Sequence, residues 1–299
     1  YLNPAVTAAL HVRRAGWFSA HQLGMQLLEK ARQAGVQLLA DRVSVVHTRG
    51  GRVSAVTTAG GQTIATNCLV NAAGPLLNQV AGLTGQQLPV QHERHLKLAF
   101  RDVHGVLDRA APLVIWAGEQ TLDLPDDERA GLQDDPELRF LTGRLPAGIH
   151  TRPEGGAESP IVIALWEYRD TRLPDGAAPV FPLPDDPLYA DVVQRGLEQP
   201  LPGMRAYRDR LVRPAVDGGY YTCAPDNRPL IGPLPLPGSY ALGALSGYGL
   251  MAAAAAGELL AAYLDEAELP GYAAACHPAR FDDPGYLALA AALTDSGQL

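Results

Sequence analysis

The sequence predicts an α/β domain that is interrupted in its middle by a mostly antiparallel α+β domain. Two stretches predict the α/β part, because each passes from a short apolar strand through a glycine turn into a helix: residues 68–75 and 241–264. Residues 90–212 contain short runs with β character, separated by loops rich in Pro, Asp and Gly. We therefore expect residues 1–89 and 213–299 to form the α/β domain and residues 90–212 to be inserted into it.

Composition indicates a globular chain and excludes several partners. The 299 residues are 47% hydrophobic and 19% charged, which permits a large core. The net charge of −8 argues against a nucleic-acid partner and against an anionic membrane surface. The most apolar stretch, 241–264, is broken by Ser246, Tyr248 and Glu258, so no integral membrane segment is predicted. Three cysteines without metal-binding spacing predict no metal site and favour a reducing, cytoplasmic location.

Local signals place the remaining elements. Ser19 is a good N-cap for a helix that ends at Gly35, and the glycine pairs at 50–51 and 60–61 predict the hairpins of a small meander. An edge strand is expected at 9–13, a β run at 138–142, and a strand buried on both faces at 68–73. Residues 212–221 are expected to return to the first domain.

The strand–turn–helix at 241–264 has the geometry of a ligand site. The first N–H groups of a helix lack intrahelical partners and carry the positive end of its dipole, which suits an electron-rich group. Gly243, Gly247 and Gly249 let the backbone approach such a ligand closely. We expect residues 42–46 and 69–74 to meet the same ligand. The alternative is that these glycines serve helix packing alone.

Four segments, taken together, resemble a known family. They read L-V-N-A-A-G-P at 69–75, P-D-N-R-P-L-I-G at 225–232 and S-G-Y-G-L-M at 246–251, followed by the closing segment 270–284. In this order they resemble the D-amino-acid oxidase-like (DAO) family of FAD-dependent oxidoreductases, which includes glycine oxidase and monomeric sarcosine oxidase. The resemblance implies a Rossmann-like FAD-binding domain with an inserted substrate domain. No G-x-G-x-x-G occurs, so we expect an incomplete FAD-binding domain in an N-terminally truncated fragment.

The resemblance also implies where FAD would be held. The backbone of Val43 matches a position that holds the adenine, and Ala72, Ala73 and Gly74 match small residues that pass close to the adenosine and phosphate. Tight packing would explain the small residues equally well. The flavin's pyrimidine edge would lie along one segment: Leu245, Ser246, Gly247, Tyr248, Gly249, Leu250 and Met251. The family's flavin-tethering cysteine falls on Gly219 here, so FAD is expected to be non-covalent.

The substrate site departs from the family pattern. Tyr221 stands where glycine oxidase-like members have a carboxylate-binding arginine, and Met251 stands where sarcosine oxidase-like members have a lysine. We therefore predict a mostly neutral pocket made of Tyr220, Tyr221, Tyr248 and Met251. Arg94, His95 and Lys97 are candidates for a replacement cation, with a solvated strand end as the alternative. No catalytic side chain is assigned.

The function implied by the resemblance is oxidation of the C–N bond of a small-molecule amine or amino acid, by hydride transfer to flavin N5. Either O2 or an electron carrier would reoxidise the flavin. The alternative is a non-catalytic flavin- or partner-binding subunit, or an inactive fragment of the enzyme. The sequence leaves the substrate, the electron acceptor and the oligomeric state open.

Overall fold

The computed structural model describes residues 1–291. The helices are α1 (Ala20–Gln33), α2 (Leu77–Gly82), α3 (Asp126–Asp134), α4 (Tyr189–Leu197), α5 (Gly249–Leu264), α6 (Ala273–Cys276) and α7 (Pro284–Ala291). The strands are β1 (Val43–Arg49), β2 (Arg52–Thr58), β3 (Thr63–Ala65), β4 (Leu69–Asn71), β5 (Gln91–Arg101), β6 (Val114–Ile115), β7 (His150–Glu154), β8 (Ile161–Leu165), β9 (Ala215–Cys223), β10 (Leu230–Pro233) and β11 (Ser239–Gly243). Short 3₁₀ helices are Gly74–Leu76, Arg139–Thr142, Pro202–Tyr207, Ser246–Tyr248 and Pro278–Asp282.

The strands form three sheets, with orders β1-β2-β3, β10-β11-β4 and β6-β7-β8-β5-β9. The first is the predicted meander, whose turns at 50–51 and 60–61 contain glycines with positive φ. In the second, β11 pairs antiparallel with β10 and parallel with β4. The third is antiparallel throughout, which confirms the mostly antiparallel character of the middle of the chain.

Strand β9 differs from the sequence-based expectation. It pairs with β5 along Ala215–Cys223, so residues 215–221 are part of the same five-stranded sheet as β5. The pairing is close at Gly218, where a Cβ would lie 2.2 Å from the His95 carbonyl oxygen. A long-range pairing of this kind leaves no local signal in the sequence. The division at residues 89 and 212 stays a prediction, and residues 292–299 of its last piece lie outside the described part.

Three further expectations for single elements are wrong. Residues 9–13 form no strand, and 139–142 form a 3₁₀ helix because the backbone carbonyl of Asp135 accepts from the N–H groups of Leu138 and Arg139. Strand β4 is not buried on both faces. It is an edge strand in which Leu69 and Val70 are only half-buried. The Ser19 cap of α1 is confirmed, because its hydroxyl accepts from the N–H of Gln22.

The largest core lies on one face of the five-stranded sheet. Leu98, Phe100 and Trp166 pack there against α4 and the 3₁₀ helix that contains Tyr207. The β10-β11-β4 sheet has smaller clusters, one around Leu77 and Leu230 and another under α5. Side chains therefore pack more completely in the five-stranded half than in the half with the two strand–turn–helix units.

One segment of the described chain, Ser246–Leu264, is long and apolar enough to cross a membrane, with a mean hydropathy of 1.2. Core helices of soluble proteins also meet this criterion, although only 17% of the most apolar stretch of this segment is buried here. Its length and composition are therefore weak support for a membrane span.

Candidate functional site

Two strand–turn–helix units meet at one edge of the β10-β11-β4 sheet. Strands β4 and β11 are parallel neighbours, with Leu69 opposite Ser239 and Asn71 opposite Ala241. Their carboxyl ends therefore lie side by side. β4 continues through Gly74–Leu76 into α2, and β11 continues through Ser246–Tyr248 into α5. The carboxyl edge of parallel strands is where α/β sheets bind their ligands.

The first turn, residues 72–76, is held by the buried side chain of Asn71 and is open on its outer side. Asn71 Nδ2 donates to the Leu77 carbonyl at 2.8 Å, and its Oδ1 accepts from the Ala73 N–H at 3.3 Å. Gly74 has φ +55°, and a Cβ there would meet nothing within 4 Å. Ala72 is exposed and Ala73 is half-buried. The turn therefore has the small residues and the open space that close approach of a ligand needs, and sequence reasoning gave Asn71 no role in it.

The second turn, residues 244–248, has a strained backbone. The helix that follows it, α5, has no side-chain cap at its start. Ala244 and Ser246 have φ values of +53° and +50°, a region that residues with a Cβ rarely adopt. No side chain caps the start of α5, so the dipole and N–H groups of that helix end face the turn. The apolar side chains of Leu250 and Met251 are 41% and 77% exposed beside it. This combination of donors and apolar surface suits a planar ring with an electron-rich edge.

The glycines of the second turn separate the packing explanation from the ligand explanation. A Cβ on Gly243 would lie 2.6 Å from Leu77 Cδ1, so packing alone requires glycine there. A Cβ on Gly249 would lie 3.6 Å from the Leu245 Cβ, which is an ordinary contact. Internal packing therefore does not require glycine at 249.

Val43 begins β1, which is an edge strand of the meander. The residue is half-buried, and its register partner is Thr58 of β2. The opposite edge of β1 is not paired with any described strand, so its backbone N–H and C=O groups have no strand partner there.

A group of charged and aromatic side chains lies on the outward face of the five-stranded sheet. Alternation along β5 directs Glu93 and His95 away from the buried Leu96 and Leu98. His95 Nδ1 is 2.7 Å from Glu167 Oε1, and His95 Nε2 is 3.4 Å from Glu93 Oε2. The His95 ring stacks on Tyr221, with centroids 3.7 Å apart and an interplanar angle of 20°. We call Glu93, His95, Glu167 and Tyr221 the carboxylate–histidine cluster.

The cluster holds its histidine in the charged form. Burial disfavours the imidazolium, but hydrogen bonds to Glu167 and Glu93 outweigh it and raise the pKa of His95 to about 9. Burial likewise raises the pKa of the Tyr221 hydroxyl, and the charge of Glu167 adds to this effect. At neutral pH the cluster therefore contains an imidazolium and a neutral phenol.

The cluster and the second turn are joined through Cys223. This residue follows Tyr221 by two positions in β9 and so lies on the same face. Its thiol is hydrogen-bonded to the Ser246 side chain; burial nevertheless raises the thiol pKa. The Ser246 hydroxyl also contacts Asn227 Oδ1. The start of α5 is therefore adjacent to the strand that contains Tyr221.

A cleft of about 370 Å³ borders the same region, between α2 and residues 173–179. Its wall includes Pro75, which follows Gly74, and Gln91, which is the register partner of Cys223. The volume lies within the range of small-molecule pockets. The cleft thus extends from Pro75, beside the first turn, to Gln91 at the start of β5.

The structure separates some residues of the predicted substrate pocket. Tyr221 lies in the cluster, whereas Tyr220 points to the opposite face, is 9% exposed, and has its hydroxyl bonded to the backbone of Val180. Arg94 lies on the Tyr220 side and donates to the Pro184 carbonyl at 3.0 Å. Lys97 is on the cluster's face, 3.4 Å from Asp217. The roles of Tyr220, Tyr248, Met251, Arg94 and Lys97 in a substrate pocket stay predictions.

Two residues of the cluster were missed by sequence reasoning. Glu93 was detectable, because Glu93, His95 and Lys97 alternate with Leu96, Leu98 and Phe100 along β5. Glu167 had no such signal, since it follows the end of β8 and meets His95 only through the fold. Within residues 1–291, no group of three or more His, Cys, Asp or Glu side chains is arranged to hold a metal ion.

Comparisons with known proteins identify the family and the fold. The family model DAO, described as FAD dependent oxidoreductase, matches residues 2–263. Similar solved structures include L-proline dehydrogenase from P. horikoshii, with a TM-score of 0.62, 18% identity, and coverage of 88% of this chain and 59% of that one. Iminodiacetate oxidase from Chelativorans sp. BNC1 has a TM-score of 0.61, 19% identity, and coverage of 86% and 58%, respectively.

Glycine oxidase from Geobacillus kaustophilus is similar as well, with a TM-score of 0.61, 15% identity, and coverage of 87% of this chain and 57% of that one. At these identities the structures show the fold alone. The chain spans less than three-fifths of the length of each of the three. No match was found among curated proteins. The family model covers most of the chain, and the chain therefore belongs to the DAO family of FAD-dependent oxidoreductases.

Proposed function

We propose that this chain forms the flavin- and substrate-facing surface of an enzyme that oxidises the C–N bond of an amine or amino acid. The observation that carries the proposal is the position of Ser246. It lies at the start of α5 and its side chain is hydrogen-bonded to Cys223, so the uncapped helix end is next to the strand that contains Tyr221. A cofactor at the helix end and a substrate at the cluster would therefore be neighbours.

FAD is the cofactor of this family, and several described residues fit it. The open backbone edge at Val43 suits the adenine, and the small residues Ala72, Ala73 and Gly74 leave room beside the first turn. Residues 245–251 provide helix N–H groups and exposed apolar side chains for the ring. The chemistry that bound FAD supplies is the two-electron oxidation of the C–N bond.

The residues of this chain contribute binding, orientation and electrostatics. The dipole and N–H groups at the start of α5 stabilise negative charge on an electron-rich ring edge, and they need no rearrangement to do so. The cluster presents Tyr221 and two carboxylates toward the substrate side. The oxidised product is an imine, which water hydrolyses. O2 or an electron carrier is the proposed acceptor, and a cytoplasmic location is consistent with the free Cys68, Cys223 and Cys276.

The test begins with flavin binding by the purified chain. FAD is titrated while the visible spectrum and flavin fluorescence are recorded, for the parent chain and for Gly249→Val. The valine side chain would occupy the space beside the turn, so we expect at least about a tenfold loss of FAD affinity. Gly257→Val, at an open position in the middle of α5, is the matched control and should retain the parent affinity. Equal FAD affinity in both variants would contradict the placement of the ring.

The second part of the test separates an enzyme from a non-catalytic flavin-binding subunit. Amines and amino acids are added without oxygen to the flavin-loaded protein, and the loss of flavin absorbance is followed. Bleaching by at least one amine supports the enzyme. Bound FAD that no amine reduces supports the non-catalytic alternative, and a chain that binds no FAD contradicts the proposal for this chain.

A further inference from the structure

Both N–H donors of His95 are already used within the carboxylate–histidine cluster. The imidazolium of His95 directs one nitrogen to Glu167 at 2.7 Å and the other to Glu93 at 3.4 Å. A carboxylate has two oxygens and about four acceptor positions, and His95 contacts one oxygen of each. Acceptor capacity therefore remains on both glutamates, while His95 keeps no N–H for a ligand. Their side chains are 27% and 24% exposed, so they are accessible from the open side of the sheet.

The cations near the cluster are already paired with carboxylates of the protein, and Arg172 is shared between Glu93 of the cluster and Asp170 outside it. Arg172 Nε is 3.5 Å from Glu93 Oε1, and its side chain is 62% exposed at the rim of the cluster. Lys97, on the same face, is paired with Asp217. Arg94 lies on the other face, 3.9 Å from Asp186. Each of these three cations is therefore already engaged by a carboxylate of the protein, and Arg172 lies at the rim of the cluster.

The net charge of the cluster also disfavours a carboxylate ligand. Glu93 and Glu167 contribute two negative charges, and His95 returns one positive charge in the same half-buried site, where charges are screened less than in water. The positive charge of Arg172 at the rim is balanced by Asp170, 3.8 Å away, so the group keeps an excess negative charge. A ligand carboxylate would lie against two like charges without a bidentate donor to offset the repulsion. A ligand ammonium would instead find carboxylate oxygens and the electron-rich ring of Tyr221.

We propose that the cluster selects amines that lack a free carboxylate, and that Glu167 and Glu93 hold such an amine through its ammonium group. This inference rests on the proposed function, because it names the substrate class of the same site. It assigns specificity to Glu167 and Glu93, which are separated by a long stretch of chain and brought together by His95. Amino acids with a free carboxylate would be the disfavoured ligands.

The test uses a matched pair of probes, glycinamide and glycine, which differ in the carboxylate charge. Dissociation constants are measured by NMR titration of the full chain at pH 7.0, with the ring signals of His95 and Tyr221 as reporters. We expect glycinamide to bind at least about tenfold more tightly than glycine. Glu167→Gln should bring this ratio close to one, and Glu93→Gln should lower it as well.

Glu154→Gln is the control, because Glu154 lies on the same sheet, is paired with Arg152 and is not part of the cluster. It should leave the ratio unchanged. The inference is overturned if glycine binds as tightly as glycinamide, if neither probe binds, or if both cluster variants keep the parent ratio. A folded spectrum for each variant is checked first by circular dichroism, and two cluster variants keep the test decisive if one of them fails to fold.

Failure of this inference and failure of the proposed function have different signatures. If FAD is bound and glycine or sarcosine reduces it more efficiently than the corresponding amides, the substrate class is wrong and the oxidase function stands. If the amide preference is found and no FAD is bound, the cluster is a cation site and the redox function fails.

Discussion

The two halves of the molecule differ in how completely they bury their apolar side chains. The five-stranded sheet covers one face with α4 and encloses Trp166, Tyr207 and Phe100 almost completely. In the other half, α1 has no buried residue, and α5 buries Ala256, Leu259 and Leu260. The comparison indicates that the five-stranded half supplies most of the folding stability. The proposed cofactor-binding turns lie in the half with the open apolar surface.

This difference has a physical consequence for the ligand-facing turns. The proposed cofactor surface is not covered by the protein's own side chains, since Leu250 and Met251 are exposed beside the start of α5. The strained backbone at Ala244 and Ser246 lies in the same place. Strain of this kind is kept where the surrounding structure enforces it and where function benefits.

The largest expected effect compares a buried tryptophan of the five-stranded half with an exposed one near the same sheet. Trp166→Ala removes a side chain that is 1% exposed, and should lower the free energy of unfolding by about 3–5 kcal/mol. Trp17→Ala removes a side chain that is 40% exposed and contacts Arg152, and should cost less than about 1 kcal/mol. Urea denaturation followed by circular dichroism measures both. If both variants lost a similar free energy of unfolding, the difference in burial would not explain the stability of the two sites.

The next largest effect concerns a buried ion pair in the half of the molecule that contains the β10-β11-β4 sheet. Arg280 and Asp226 form a buried pair, with Nε to Oδ2 at 2.8 Å and Nη2 to Oδ1 at 2.9 Å, and the Tyr286 hydroxyl donates to Asp226 at 2.6 Å. Arg280→Met leaves a buried carboxylate without its cation and should cost about 3 kcal/mol. The pair is thus a reason for the aspartate in the P-D-N-R segment.

A double variant sharpens this prediction. Asp226→Leu combined with Arg280→Met removes both charges, so it should be more stable than Arg280→Met alone. If the two substitutions are simply additive in urea denaturation, the buried pair is not the source of the loss.

The smallest effect depends on pH and concerns the cluster. The folded pKa of His95, about 9, exceeds its ordinary value of 6.5, so its charged contacts stabilise the fold fully below pH 6.5. This contribution is lost as the pH rises through 9. His95→Phe keeps an aromatic ring on Tyr221 but removes the charge, so its stability deficit should be at most about 3 kcal/mol at pH 6 and much smaller at pH 10. Denaturation at both pH values measures the difference.

His11→Phe provides the control for this pH dependence, because His11 is exposed in the N-terminal segment. Its effect on stability should be small at both pH values. A deficit of His95→Phe that is the same at pH 6 and pH 10 would show that packing, and not charge, accounts for the contribution of His95.

Local features of the fold were predictable because neighbouring residues determine them. Gly50, Gly51 and Gly61 adopt positive φ, the Ser19 hydroxyl caps α1, and Gly74 and Pro75 start a helix, all within a few residues of chain. The family and the general α/β arrangement followed from such segments taken in order. The 3₁₀ helix at 139–142 was missed because hydrogen bonds to Asp135 decided it against the β propensity of the segment.

The sequence by itself determined the positions of the strand–turn–helix units, because backbone conformation at glycine and proline is a local property. The tertiary structure alone decided which face each side chain of the five-stranded sheet occupies. It placed Tyr221 against His95 and turned Tyr220 toward Val180, although the two tyrosines are adjacent. It also brought Glu167 to His95 across β8 and β5. Side chains alternate between the faces of a strand, so the register of distant strands sets the composition of the site, and no short segment contains that information.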